Sequence, residues 1–160
     1  MIRRSTTLTK EQALQKLRHY CAYQERCHSE VKEKLYSFGL WKDEVEDALS
    51  TLIEENYLNE ERFAVQFAGG RFRMKQWGRV KIRYELKQKQ VGEYCIKKAL
   101  AAIEEEDYCR TLEKLATDKW EELKGETNFA RRGKLQDYLI RKGYETDSIH
   151  QAIKAIRETS

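Results

Sequence analysis

Gly78-Arg-Val-Lys-Ile-Arg-Tyr-Glu-Leu-Lys-Gln-Lys-Gln-Val-Gly-Glu-Tyr-Cys-Ile-Lys-Lys-Ala-Leu-Ala-Ala-Ile103 carries an apolar skeleton at Ile82, Leu86, Val91, Ile96, Ala99, Leu100 and Ile103. Steps of three and four within this set place the residues on single faces of two helices, with a turn between them. Moved back by 51 residues, the skeleton falls on Val31, Leu35, Leu40, Val45, Ala48, Leu49 and Leu52. Moved forward by 53, it falls on Leu135, Leu139, Tyr144, Ile149, Ala152, Ile153 and Ile156. Every column is apolar three times over, in a chain only 40% apolar. A unit of this length, repeated, predicts stacked modules whose neighbours share apolar surface, because each unit alone is too short for a generous core.

Outward from that stretch, each copy reads as three helices. In the first copy Thr9-Lys10-Glu11-Gln12 has the form of a capping box, and Ala13, Leu14, Leu17 and Cys21 stripe a helix running to about Glu25. A second helix over about 29–37 stops at Gly39, and a third over about 42–55 stops at Asn56. The middle copy opens with Asn59 as cap before Phe63, Ala64, Phe67 and Ala68, leaving a linker of about three residues. Gly69-Gly70 falls inside this helix, where each glycine costs roughly 1 kcal/mol against alanine. That cost fits a bend, a close approach of another group, or a tolerated weak spot. Helices over about 77–90 and 93–105 complete the copy. The third copy opens at Asp107 with Leu112, Leu115, Ala116 and Trp120 on one face. Gly125 ends that helix, Asn128 starts the next, Gly143 ends it, and the last begins near Asp147. The expected fold is all-α, three tandem three-helix repeats over 1–58, 59–106 and 107–160. The absence of proline and the small number of glycines, 8, agree with helices on short turns.

Charge is uneven. Lys and Arg number 9 against 10 acids in 1–58, 11 against 7 in 59–106, and 11 against 10 in 107–160. Between Gly69 and Gln90 stand Arg71, Arg73, Lys75, Arg79, Lys81, Arg83, Lys87 and Lys89, with Glu85 as the one acid and Trp77 and Tyr84 interleaved. A solvated helix face normally mixes signs to gain i,i+4 pairs, so this run reads as a contact surface for phosphates or an acidic protein groove. Arg131, Arg132 and Lys134, with Arg141 and Lys142, form a second basic group. In the repeat register Arg132 occupies the position of Arg79, which would continue one basic face through two repeats; His28 holds that position in the first copy, where the face fades.

No catalytic pattern emerges: the chain has no Gly-rich phosphate loop, GxSxG, HExxH or dinucleotide fingerprint. His19, His28 and His150 read as separate surface residues. Cys21, Cys27, Cys95 and Cys109 form no CxxC pair, and Cys21, Cys27 and His28 lack a fourth ligand at finger-like spacing, so reduced thiols and no metal are expected. A protein without enzymatic activity, without cofactors and acting by binding is the reading. No apolar stretch reaches a membrane span and the N-terminus lacks a signal-peptide core, so a cytoplasmic monomer is expected.

The stretch Leu52-Ile-Glu-Glu-Asn-Tyr-Leu-Asn-Glu-Glu-Arg-Phe-Ala64 resembles the junction of first and second repeats in the RecX family. Gly78–Lys89, Lys134-Leu-Gln-Asp-Tyr-Leu-Ile-Arg-Lys-Gly-Tyr144, the Ala13-Leu14 helix and Arg26–Leu35 fit the same family, in order, from about Lys10 to Ile156. The resemblance implies an elongated, curved stack and a partner, the filament of the RecA recombinase on DNA. It also implies a role in homologous recombination, DNA repair and the SOS response: binding in the filament groove and limiting filament extension, ATP hydrolysis and strand exchange. The basic positions of the second and third repeats become the expected filament- or DNA-facing residues. Two departures from the family pattern are Gln90, where a glycine usually follows the Lys, and Gly69-Gly70. Competing readings are a stand-alone DNA-binding protein with helix-turn-helix-like units, on single- or double-stranded DNA, and a helical adaptor.

Overall fold

The computed structural model describes residues 7–159, and among these it forms nine helices and no strand. They are α1 (Lys10–Tyr23), α2 (His28–Ser37), α3 (Lys42–Glu54), α4 (Glu60–Lys75), α5 (Arg79–Gln88), α6 (Glu93–Ala101), α7 (Glu105–Glu122), α8 (Asn128–Lys142) and α9 (Thr146–Thr159). Residues 1–6 and Ser160, the outer ends of the first and third expected repeats, lie outside the described residues. Every skeleton position is buried except Leu49 and Ile156, which are half-buried. The apolar columns are the core.

The caps explain where the helices begin. Thr9 Oγ1 accepts the Gln12 N–H at 3.1 Å while Gln12 Oε1 accepts the Thr9 N–H at 3.0 Å, closing the expected capping box. Asn59 Oδ1 accepts the Arg62 N–H at 2.9 Å. Thr127, one residue before the expected start, caps α8 by accepting the Ala130 N–H. Left-handed residues mark the ends: Gly39 at φ 85°, Asn56 at 64°, Gly125 at 104° and Gly143 at 98°. Gln90, which replaces the usual glycine, adopts φ 64° all the same, so all three repeats stop their middle helix in the left-handed region. An L-residue there costs roughly 1–2 kcal/mol, which the surrounding contacts must offset. α1 ends at Tyr23 rather than Glu25 because Gln24 is extended, and α6 ends at Ala101, leaving a short turn before α7.

α4 runs unbroken through Gly69-Gly70. The Arg73 guanidinium folds back over Gly69, and nothing lies within 4 Å of where a Gly70 side chain would point. Gly70 is therefore a weak spot without a packing reason. Gly70→Ala is expected to stabilise the protein by about 1 kcal/mol and raise its melting temperature by about 2–4 °C, measured by circular dichroism; an unchanged or lower value would show that the site needs its glycine.

Packing divides the chain into two compact units, one from Met1–Gln66 with Leu86–Lys98, the other from Phe67–Glu85 with Ala99–Ser160. The division passes through α4, α5 and α6, so the middle repeat contributes to both. In the first unit α1, α2 and α3 pack mutually around Leu14, Leu17, Val31, Leu35, Val45 and Leu52. In the second, α7, α8 and α9 pack mutually around Leu112, Leu135, Leu139 and Ile149.

Candidate functional site

The expected basic residues fall into three kinds, the third being the exposed Arg73, Arg132 and Arg141. The first kind surrounds an indole. Arg71, on α4, lies with its guanidinium 5.7 Å from the Trp77 ring and 4.4 Å from that of Phe67. Lys75 Nζ is 5.4 Å and Lys81 Nζ 4.6 Å from the same Trp77 ring. Left-handed Gln76, at φ 59°, turns the chain sharply between α4 and α5, which lets one half-buried tryptophan collect cations from both helices. Among the described residues no carboxylate pairs with the three heads, and the face of the indole offers each a weak cation–π contact. Trp77 thus serves as backing for the cations.

The second kind is already engaged. Arg79 Nη1 donates to Glu145 at 3.0 Å and its Nη2 to Glu105, while its guanidinium lies 3.7 Å over the Tyr108 ring. Burial opposes its charge, but the two carboxylates more than compensate and hold its pKa above the ordinary value. Tyr108, buried, donates its hydroxyl to Glu145 and accepts the Arg79 backbone N–H at 2.9 Å; burial first, then Glu145, pushes its pKa up. Arg131 donates twice to the Trp120 carbonyl, at 2.9 and 2.6 Å, and stacks 3.7 Å over the Trp120 ring. Lys134 pairs with Glu126 at 2.6 Å, and Lys142 donates to the Lys75 carbonyl at 3.1 Å. Lys87 sits 3.9 Å from Glu93. Arg83 and Lys89 are half-buried, whereas Arg73 and Arg141 are exposed.

The repeat-equivalent pair Arg79 and Arg132 therefore differ in what they touch. Arg132 is exposed and lines a groove of about 240 Å³ with Gln136, His150, Ile153, Lys154 and Arg157. His150, Lys154 and Arg157 were not among the expected site residues, although their steps of four and three along α9 put them on one face and offered the signal. The Arg79 guanidinium is directed inward instead, to a junction where the first turn of α5 meets the end of α8. There the Gly78 N–H donates to the Lys142 carbonyl and the Val80 N–H to the Gly143 carbonyl, each at 2.8 Å. Two orphan donors of one helix start are satisfied by two orphan acceptors of another helix end.

Burial raises the pKa of Cys21 to about 11, and raises that of Cys27, Cys95 and Cys109 as well. Among the described residues no group of three His, Cys, Asp or Glu side chains converges as a metal site, and no helix is long and apolar enough to cross a membrane.

Such an array of helices on shared apolar columns, with cations displayed on aromatic rings, defines a protein of tandem three-helix domains. Family profiles locate it further. The one described as RecX, second three-helix domain, matches residues 59–100, and that for the RecX third three-helix domain matches 105–153. The chain belongs to the RecX family. It is 31% identical to the regulatory protein RecX of Prosthecochloris aestuarii over 88% of this chain and 91% of that one. It is 32% identical to the Clostridium perfringens protein of the same name over 82% of this chain, spanning 62% of the relative's length. Its fold matches the crystal structure of RecX from Lactobacillus salivarius with a TM-score of 0.86, at 20% identity, over 92% of this chain and 96% of that one. A crystal structure of regulatory protein RecX gives a TM-score of 0.82 at 23% identity, over 91% and 71%.

Proposed function

We propose that this chain is a negative modulator of the RecA recombinase, acting in the cytoplasm as a monomer that binds in the groove of the RecA–DNA filament and limits its extension, ATP hydrolysis and strand exchange. Family membership supports the reading, since relatives alike over most of this chain are named regulatory protein RecX. The observation that carries the reading is the triad of Arg71, Lys75 and Lys81 around Trp77, cations backed by an aromatic ring and unmatched by any carboxylate among the described residues. A polyanionic nucleoprotein surface is the complement of such a group. Arg132, Lys154 and Arg157 extend the same chemistry on α8 and α9.

Stoichiometric protein added to recombinase on single-stranded DNA is expected to slow ATP hydrolysis and shorten filaments. The triple variant Arg71→Glu, Lys75→Glu, Lys81→Glu is expected to need at least about tenfold more protein for the same inhibition, with its melting temperature within about 2 °C of the parent, since Lys75 is exposed and the half-buried Arg71 and Lys81 pair with no carboxylate among the described residues. Unchanged hydrolysis with the parent protein would sink the reading. Tight, strongly salt-dependent binding to bare DNA without any effect on recombinase would replace it with stand-alone DNA binding.

A further inference from the structure

The first unit holds a groove that the basic run of the second unit does not explain. It is an open groove between α1 and α2 of about 590 Å³, the size range of a small-ligand site. Along α1, Lys16, Tyr20 and Tyr23 follow at steps of four and three, so they share one face. Lys34 and Phe38, four residues apart, face them from α2 and its C-terminal cap. Arg26 closes one end: its guanidinium lies 3.7 Å over the Tyr20 ring, its Nε donates to the Tyr20 carbonyl at 3.1 Å, and Glu30 holds it at 3.9 Å. Lys34 Nζ stands 5.7 Å from both the Tyr20 and Phe38 rings and has no carboxylate partner among the described residues. The side chains lining the groove include no acid.

Net charge hides this site. The 1–58 segment sums to −1, yet three of its acids pair away from the groove, Asp47 with Lys10, Glu55 with Arg18 and Glu25 with Arg62, and Glu30 is held by Arg26 at the groove's end. What remains at the groove is positive and aromatic. A simple anion would use the lysines and leave the Tyr23 and Phe38 rings idle; an apolar ligand would leave the lysines idle. Tyr23, 83% exposed, is an open ring face of the kind on which a base stacks.

We infer that this groove binds a nucleotide, its phosphate between Lys16 and Lys34 and its base against Tyr23 and Phe38. The same chemistry is presented by a free nucleotide and by one unit of a single strand. The inference stands apart from the proposed recombinase surface, which lies on other residues, so either can fail alone.

The test is titration of the ¹⁵N-labelled full chain, followed by amide resonances of α1 and α2. AMP is expected to shift the resonances of the groove residues, binding at least about tenfold tighter than adenosine or inorganic phosphate. Lys16→Glu with Lys34→Glu, and separately Tyr23→Ala, should each weaken AMP about tenfold while leaving the remaining spectrum folded and in place. A deoxyadenosine hexanucleotide binding more than about tenfold tighter than AMP identifies a strand as the ligand; equal affinity identifies the free nucleotide. Three results would overturn the site: no groove resonance moving with AMP or hexanucleotide, phosphate alone matching AMP, or a polyglutamate peptide displacing AMP at similar concentration.

Discussion

Gly78→Ala is expected to destabilise the protein by about 3–5 kcal/mol, a far larger effect than a single methyl group usually produces. The added carbon would come to 2.5 Å from the Gly143 carbonyl carbon and 2.6 Å from the Tyr144 nitrogen. Those are backbone atoms, which have no rotamer by which to move aside. Relief requires the first turn of α5 to withdraw from the end of α8, and withdrawal stretches the Gly78-to-Lys142 and Val80-to-Gly143 hydrogen bonds. Each bond is worth about 0.5–1.5 kcal/mol when made, and an orphaned buried partner costs about 1–3. Gly143→Ala meets the same obstacle from the other side, at 2.7 Å from the Lys81 nitrogen, and adds the strain of a side chain at φ 98°. Thermal and urea melts check both: at about 2–4 °C per kcal/mol, the expected fall is at least roughly 6 °C. A melting temperature within about 2 °C of the parent would mean that the two backbones do not touch. Gly70→Ala, moving the other way, is the internal control.

How much of this was readable from the chain alone depends on how far apart the partners lie. The apolar columns, the Thr9–Gln12 box, the Asn59 cap and the stops at Gly39, Asn56, Gly125 and Gly143 are local signals, and each does what its residue type predicts. Gln76 and Gln90 carry no such signal. Glutamine has no preference for the left-handed region, so these two turns are imposed by the packing on either side. Gly78 carries no local signal of its role, because its close contact is with Gly143, 65 positions away. Arg79 was misleading for the same reason. Seven of its basic companions surround it in sequence, but its carboxylates are Glu105 and Glu145, brought near only by the fold. The α1–α2 groove was invisible because a charge sum over 58 residues averages faces that the helices separate. On α9 the signal was present and unread: His150, Lys154 and Arg157 keep helical spacing.

Arg79→Glu supplies the sharpest division between fold and surface. Its guanidinium bridges two carboxylates, lies over Tyr108 and has a side chain only 21% exposed. Replacing it with glutamate puts a third negative charge against Glu105 and Glu145 and leaves Tyr108 without its cation. Partly buried pairs broken in this way cost several kcal/mol, mainly through the charge left behind, and about 2–4 kcal/mol is expected here. Arg79→Lys should recover only part of that, because an ammonium on a flexible stem does not reproduce the planar fork that reaches both partners over a ring. The triple variant at Arg71, Lys75 and Lys81 should do the opposite, keeping the melting temperature and losing inhibition of recombinase. Measured side by side, the two variants separate a residue that positions α5 from residues that meet a partner. Should Arg79→Glu melt with the parent and yet abolish inhibition, the guanidinium belongs to the contact surface after all, as the basic run taken by itself suggests. If instead it melts early and Glu145→Gln, which keeps the hydrogen-bonding shape but removes one charge, melts early as well, the role of Arg79 is to hold α5, α7 and the α8–α9 turn together.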